Sequence, residues 1–166
     1  KIKGTLVLDE VLAEEPLDFI VYFSSSSAIL GDFGSCDYSM ANRFLMAYTN
    51  YRNELRSQGK GSGKAIVINW PLWKDGGMGS QEEEKTDFYL KSSGQGILET
   101  EEGLALFEQI LSQDKTQHLV VKGQPDRVRR FLGLDTKFPP SLSVDSPVLR
   151  QRKRPEMRGL DLEQCV

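Results

Sequence analysis

Two short apolar runs, separated by one long amphipathic segment, constrain the fold of this chain most. Leu17 to Phe23 is almost continuously apolar, β-branched or aromatic, and Lys64 to Trp70 is a second such run, which Pro71 ends. Between them, from about Ser35 to Ser57, apolar residues recur every three or four positions, as on one face of a helix. A strand, a helix long enough to cross over and a second strand predict a right-handed βαβ unit with parallel strands. We expect the first strand to be a central one, covered on both faces.

The remaining segments predict further helices and a third strand around this unit. Residues 1–134 form one α/β domain in this interpretation, and residues 135–166, rich in proline, serine and arginine, form a linker or tail. A helix is predicted over Lys3–Leu12, with Leu6, Leu8, Val11 and Leu12 as its apolar residues. Three further helices are predicted, over Gln81–Lys91, from Thr100 as the cap, and over Asp126–Phe131. The third strand is predicted over Gln117–Val121.

Composition excludes several classes of protein. The 166 residues carry a net charge of −3 with both signs interspersed, which does not resemble the basic footprint of a nucleic-acid binder. No run approaches 18 apolar residues, so we expect no membrane partner and a cytoplasmic protein. Cys36, Cys165 and His118 are too few and too far apart for a metal site, so no metal is predicted.

The strongest functional signal is a hydroxyl-bearing group of residues around the first strand and the long helix. Tyr38 and Asn42 lie one helical turn apart and share one helix face, and Ser25 lies 13 residues before Tyr38 in the serine-rich segment that closes the strand. A hydroxyl at a strand end can meet a phenol on the first turn of the next helix. This spacing predicts two hydroxyls converging on one carbonyl oxygen, as in a reductase.

With these residues in place, the sequence resembles the ketoreductase domains of modular polyketide synthases, within the short-chain dehydrogenase/reductase superfamily. The matching segments are Lys1–Thr5, Pro16–Ser25, Gly31–Leu45, Ile68–Gly79, Thr100–Leu104 and Val120–Gly123. The segment Ile68–Gly79 is similar to the version found in synthases served by separate acyltransferases. The resemblance covers about residues 1–134, and implies the C-terminal half of a Rossmann-like, doubly wound parallel sheet with flanking helices.

The resemblance also implies roles for individual residues. Ser25 would hydrogen-bond the substrate carbonyl, Tyr38 would donate the proton, and Lys1 would ease that transfer while contacting the nicotinamide ribose of NADPH. Asn42 stands where most of the superfamily has lysine, which favours the polyketide branch. The remaining implied contacts are cofactor binding by Lys1, Tyr38, Pro71 and Leu72, and a substrate channel lined by Trp73 and Met78.

One feature of the family is absent from this sequence. It contains no G-x-G-x-x-G turn, which in a complete reductase receives the cofactor's pyrophosphate. We therefore expect the 166-residue chain alone to bind NADPH weakly and to reduce little. The implied partners are the N-terminal half of the ketoreductase, on the same or a separate chain, neighbouring synthase domains, and an acyl carrier protein with a phosphopantetheine-linked acyl chain.

Two other readings stay open. One is a catalytically silent, reductase-like subdomain that holds neighbouring synthase domains. The other is a generic short-chain alcohol dehydrogenase acting on free small molecules, against which Asn42 argues.

Overall fold

The computed structural model describes residues 1–31, 35–75 and 83–134, and within these ranges all side chains except those of residues 83–85. The proposed linker or tail, Met78 and Cys165 therefore lie outside the described residues. The elements are α1 (Ile2–Val11), β1 (Phe19–Ser25), α2 (Ser27–Leu30), α3 (Cys36–Ser57), β2 (Lys64–Trp70), α4 (Glu83–Ser93), α5 (Thr100–Leu111), β3 (Gln117–Leu119) and α6 (Pro125–Phe131).

The three strands form one parallel sheet in the order β1-β2-β3. The predicted parallel α/β arrangement is confirmed, since α3 connects β1 to the neighbouring parallel strand β2. Strand β2 lies in the centre, and its residues from Ala65 to Trp70 are all buried. The core has two halves, one on each face of the sheet. The α3 side contains Tyr22, Leu45, Tyr48, Ala65 and Val67, and the α5 side contains Ile66, Ile68, Trp70, Leu98, Ile110 and Val120.

The prediction that the first strand is central and covered on both faces is wrong for the described sheet. Strand β1 lies at its edge, and Phe19 and Phe23 remain 49% and 52% exposed. Helix α3 covers the face that carries Tyr22 and Ser24, whereas the alternate residues receive only partial cover, in which Phe23 contacts Phe107 of α5. The apolar composition of a strand does not specify its place in the sheet order.

Several element boundaries differ from those predicted. Strand β1 begins and ends two residues later than expected. At its start, the Leu17 N–H donates to the Ser62 hydroxyl instead of to the sheet. Helix α5 is capped by Glu99, whose N–H is met by the Glu102 carboxylate at 3.4 Å, while the Thr100 hydroxyl donates to Asp75 at 2.8 Å. Strand β3 ends at Leu119, two residues earlier than predicted. Such shifts are ordinary for element ends.

Helix α1 is confirmed, but its apolar residues do not form a buried face. Leu6, Leu8 and Val11 are 47%, 45% and 70% exposed, and the one buried residue of the helix is Thr5. The helix meets α3 through charged and polar groups instead, and the apolar periodicity therefore predicted the helix but not its orientation. None of the helices within the described ranges is long and apolar enough to cross a membrane.

Candidate active site

The carboxyl ends of β1 and β2 bring polar residues to one edge of the sheet. Ser24 is in register with Asn69 and Ser25 with Trp70, and the Ser26 N–H extends the pairing by donating to the Trp70 carbonyl at 2.8 Å. Side chains alternate along a strand, so Ser24 faces α3 and Ser25 faces the other way. The Ser25 hydroxyl is partly buried and accepts hydrogen bonds from the backbone N–H and the hydroxyl of Ser27, at 3.2 Å and 3.0 Å. These contacts fix the Ser25 hydroxyl at the end of the strand.

Tyr38 and Asn42 lie on the first and second turns of α3, where the helix begins at Cys36. The Asn42 carboxamide is fully buried, and its Nδ2 donates to the Tyr38 carbonyl oxygen at 2.9 Å. Within the described residues, the Asn42 Oδ1 has no hydrogen-bond donor. The Ser24 hydroxyl donates to the Asn42 carbonyl oxygen at 3.3 Å and so joins α3 to the end of β1. Tyr38 itself is partly buried.

Lys1 reaches the same strand from α1. Its Nζ donates to the Phe23 carbonyl oxygen at 3.2 Å, two residues before Ser25. Burial lowers the pKa of the Lys1 amine below its ordinary value, because partial removal from water disfavours the charged form. Lys1 is thus placed at the end of the strand that carries Ser25.

The four residues predicted from the sequence do not form a closed hydrogen-bond chain in the described structure. Among the described residues, Ser25 bonds to Ser27, Lys1 bonds to Phe23, and Asn42 bonds to the Tyr38 backbone. The Ser25 hydroxyl, the Lys1 amine and the Tyr38 phenol do not bond to one another. Hydrogen bonds in catalytic sites often tighten only when substrate is bound, so this spacing does not remove a residue from the set. Their catalytic roles stay predictions.

Pro71 and Leu72 follow directly after β2. Pro71 is buried, and the Leu72 carbonyl oxygen accepts the Leu98 N–H at 2.8 Å. The Leu72 N–H makes no hydrogen bond to any residue that the structure describes. A backbone donor at the end of the central strand fits a carboxamide oxygen, whereas the Leu72 carbonyl is already engaged.

Trp73, a predicted channel residue, packs against the hydrophobic core. Its ring meets that of Trp70 edge-on, with centroids 5.0 Å apart, and lies against Gly103 on α5. It is partly buried and packs against the core on the α5 side of the sheet. Packing against Trp70 and Gly103 is therefore a sufficient structural reason for a tryptophan at position 73. Met78, the other predicted channel residue, lies outside the described residues.

Two polar residues near this site received no role from the sequence. Ser24, the neighbour of the predicted Ser25, connects β1 to Asn42 through its hydroxyl. Asn69 is fully buried, and its Nδ2 donates to the His118 carbonyl oxygen at 2.9 Å, while its Oδ1 has no donor within the described ranges. The available signal for Asn69 was an amide in an otherwise apolar strand. Among the described residues, no group of three or more His, Cys, Asp or Glu side chains could hold a metal ion.

Comparison with known proteins gives matches over most of the chain. Residues 1–75 match the family model described as the KR domain. Over 163 residues the chain is 56% identical to the polyketide synthase PksM of Bacillus subtilis, and the match covers 98% of this chain and 4% of that protein. The polyketide synthase ThaG of Burkholderia thailandensis is 41% identical over 134 residues, covering 80% of this chain and 2% of ThaG. The chain thus spans a small fraction of the length of these relatives.

Solved structures of ketoreductase domains also match this chain. A ketoreductase domain from the bacillaene assembly line matches with a TM-score of 0.71 and 38% identity, over 78% of this chain and 31% of that one. An N-terminal ketoreductase from the macrolactin assembly line matches with a TM-score of 0.65 and 38% identity, over 78% of this chain and 23% of that one.

Proposed function

The chain belongs to the ketoreductase-domain family of polyketide synthases, and from this premise we propose that it supplies the proton-transfer side of an NADPH-dependent reduction. The substrate in this proposal is the 3-oxo group of a polyketide intermediate bound to an acyl carrier protein in the cytoplasm, and the product is a 3-hydroxyacyl thioester. Two predictions from the sequence, the ketoreductase family and the Rossmann-like fold, are thereby confirmed. The observation that carries the proposal is the position of Tyr38 and Asn42 on α3, joined through Ser24 to the end of the strand that Lys1 also contacts.

In the proposed reaction, Tyr38 donates its phenolic proton to the oxygen of the substrate carbonyl as that carbon gains a hydride. The C=O double bond becomes a C–O single bond, the carbon gains a C–H bond from the hydride, and the oxygen gains an O–H bond from the proton. The Ser25 hydroxyl donates a hydrogen bond to this oxygen while its negative charge develops. Both donors act most strongly on charge that exists only in the transition state. Lys1 stabilises the phenolate that remains on Tyr38, since a nearby positive charge favours the deprotonated form.

The described residues fit the nicotinamide end of the cofactor. Lys1 would hold the ribose, and the Leu72 N–H, which has no partner in the described ranges, would meet the carboxamide. When bound, NADPH supplies the hydride. Asn42 would hold α3 and its tyrosine in place. Its buried Oδ1, which no donor among the described residues reaches, would accept a bond from water or a neighbouring group.

The partners in this proposal follow from the relatives. PksM and ThaG are far longer than this chain, so we place it among neighbouring synthase domains, together with an N-terminal half that carries the Gly-rich turn. We also propose that the synthase is of the kind served by separate acyltransferases. The segment Ile68–Gly79 supports this, and the similarity to PksM of Bacillus subtilis agrees with it.

The test is a comparison of substrates in the intact protein. Consumption of NADPH is followed with a 3-oxoacyl chain tethered to a carrier protein and with the same acyl chain as a free ketone. We expect a strong preference for the tethered chain. Equal rates on both would favour a generic alcohol dehydrogenase, and no consumption with either substrate would favour a catalytically silent subdomain.

A further inference from the structure

The contact between α1 and α3 centres on one carboxylate that the proposed chemistry does not use. Asp9 on α1 accepts a hydrogen bond of 2.5 Å from the Tyr48 hydroxyl through Oδ2, and forms an ion pair with Arg52 through Oδ1. The Arg52 side chain is 8% exposed and that of Asp9 is 22% exposed. A carboxylate that accepts a hydrogen bond and is paired with a largely buried guanidinium holds its position more firmly than an exposed surface pair does.

Arg52 extends this contact to the segment before β1. Its Nη2 donates to the Ser62 carbonyl oxygen at 3.2 Å. The Ser62 hydroxyl in turn accepts the Leu17 N–H at 3.0 Å and donates to the Glu15 carbonyl oxygen at 2.5 Å. The end of α1, the entry to β1 and the middle of α3 are therefore joined by one polar network.

Asp9 and Lys1 lie on the same side of α1. The positions of Lys1, Thr5 and Asp9 are four residues apart, so they follow one helix face. At a rise of 1.5 Å per residue, the separation of eight positions from Lys1 to Asp9 corresponds to about 12 Å along the axis. Thr5, between them, is the buried residue of the helix, and its hydroxyl donates to the Lys1 carbonyl oxygen at 2.9 Å.

We propose that Asp9 is a positioning residue for Lys1: by holding α1 against α3 through Tyr48 and Arg52, it places the Lys1 amine at the carboxyl end of β1. This inference rests on the proposed function for the role of Lys1, but not for the placement itself. The apolar residues Leu6 and Val11 of α1 are exposed, so the polar network is the main side-chain anchor between α1 and α3 in the described structure. A displacement of about 1 Å in a catalytic group can cost about 100-fold in rate.

The test compares three variants of the intact protein. Asp9→Asn removes the ion pair, Tyr48→Phe removes only one hydrogen bond, and Glu10→Gln removes the same charge from an exposed position on the same helix. We expect kcat to fall at least 10-fold for Asp9→Asn, less for Tyr48→Phe, and hardly at all for Glu10→Gln, with the KM for the carrier-bound acyl chain nearly constant.

The pH profile separates positioning from general destabilisation. In the oxidation of a 3-hydroxyacyl thioester, Tyr38 must accept the proton, and a displaced Lys1 would no longer favour its phenolate. The pH profile of the oxidation rate should therefore move to higher pH in Asp9→Asn and, less, in Tyr48→Phe. The charged and titratable groups that face Asp9 are Tyr48 and Arg52 of α3, and Tyr22 of β1 and Tyr51 of α3 lie beside Tyr48. Because these groups can also titrate, rates are compared only at pH values at which circular dichroism shows that the variants remain folded.

A second readout does not need activity. Lysine amines labelled by ¹³C reductive methylation are titrated by NMR, with Lys1→Arg to assign the signal. Burial lowers the pKa of Lys1, so its release in Asp9→Asn should raise that pKa towards 10.5. An unchanged titration and pH profile in folded Asp9→Asn would overturn the inference, and if Asp9→Asn does not fold, an unchanged Tyr48→Phe would do so. If the wild-type protein turns over no substrate, the proposed function fails and the Lys1 titration alone decides.

Discussion

The Lys1 amine donates a hydrogen bond to the Phe23 carbonyl oxygen at 3.2 Å, and so connects the start of α1 to the end of β1 across 22 residues of sequence. The proposed lysine therefore comes from a different helix than Tyr38, whose own helix carries Asn42 one turn later. In this arrangement, the distance between amine and phenol depends on how α1 packs against α3. The packing of two helices becomes part of the active site.

The two neighbouring serines should separate catalysis from stability. Ser25→Ala removes the proposed donor to the substrate oxygen and should lower kcat by about 100-fold to 1,000-fold, as loss of an oxyanion donor does. Ser24→Ala removes a buried hydrogen bond to the Asn42 carbonyl and should lower the free energy of unfolding by about 1 kcal/mol. Turnover and urea denaturation measure the two effects. The reverse result, with Ser24→Ala inactive and Ser25→Ala active, would assign the donor role to Ser24.

Gly103 on α5 leaves room for the ring of Trp73. A Cβ at this position would overlap that ring, which is itself held against Trp70. We expect Gly103→Ala to lower the free energy of unfolding by about 1–3 kcal/mol, the usual cost of overpacking a core. The matched control is Gly4→Ala in α1, where an added Cβ would meet no atom beyond the local helix backbone within 4 Å and alanine should stabilise the helix by up to about 1 kcal/mol. Equal stability of the two variants would contradict this view of the Trp73 site.

Two buried tyrosines should make the fold sensitive to alkaline pH. Burial raises the pKa of Tyr22 and of Tyr48 above 10, and for Tyr48 the neighbouring Tyr22 and Tyr51 add to the rise. Because the folded-state pKa exceeds the unfolded value near 10, the stabilisation is full below about pH 10 and falls as pH rises through the folded-state pKa. Urea denaturation from pH 8 to pH 11 measures this slope. Within the described residues, the Tyr22 hydroxyl has no hydrogen-bond partner, so Tyr22→Phe should fold normally and flatten the slope. An unchanged slope in Tyr22→Phe would contradict the assignment of the alkaline sensitivity to Tyr22.

The sequence predicted the βαβ unit well because its signals are local and strong. The run Lys64–Trp70 and the periodic segment of α3 each specify their own element, and the bounds of β2 match the prediction. The order of strands was not predictable in this way, since the exposure of Phe19 and Phe23 depends on which elements lie beside them.

Part of the candidate site was predictable from the sequence, although the catalytic roles of its residues stay predictions. The spacing of Ser25, Tyr38 and Asn42 follows from one strand and one helix, and in the structure Asn42 bonds to the Tyr38 carbonyl oxygen and accepts a bond from Ser24, the neighbour of Ser25. The contact of Asp9 with Tyr48 and Arg52 joins residues up to 43 positions apart, and no local pattern in the sequence indicates it. Long-range polar contacts of this kind require the packed structure.

The most direct test of the account is product formation by Tyr38→Phe in the intact protein, with a carrier-bound 3-oxoacyl chain and NADPH. Removal of a general acid lowers a rate by about 100-fold to 10,000-fold, while the fold should remain, because the Tyr38 backbone contact with Asn42 does not involve the phenol. The control is Tyr51→Phe, an exposed tyrosine on the same helix. We predict 3-hydroxyacyl product from the wild type and from Tyr51→Phe, and almost none from Tyr38→Phe. Equal product from Tyr38→Phe and the wild type would contradict the account.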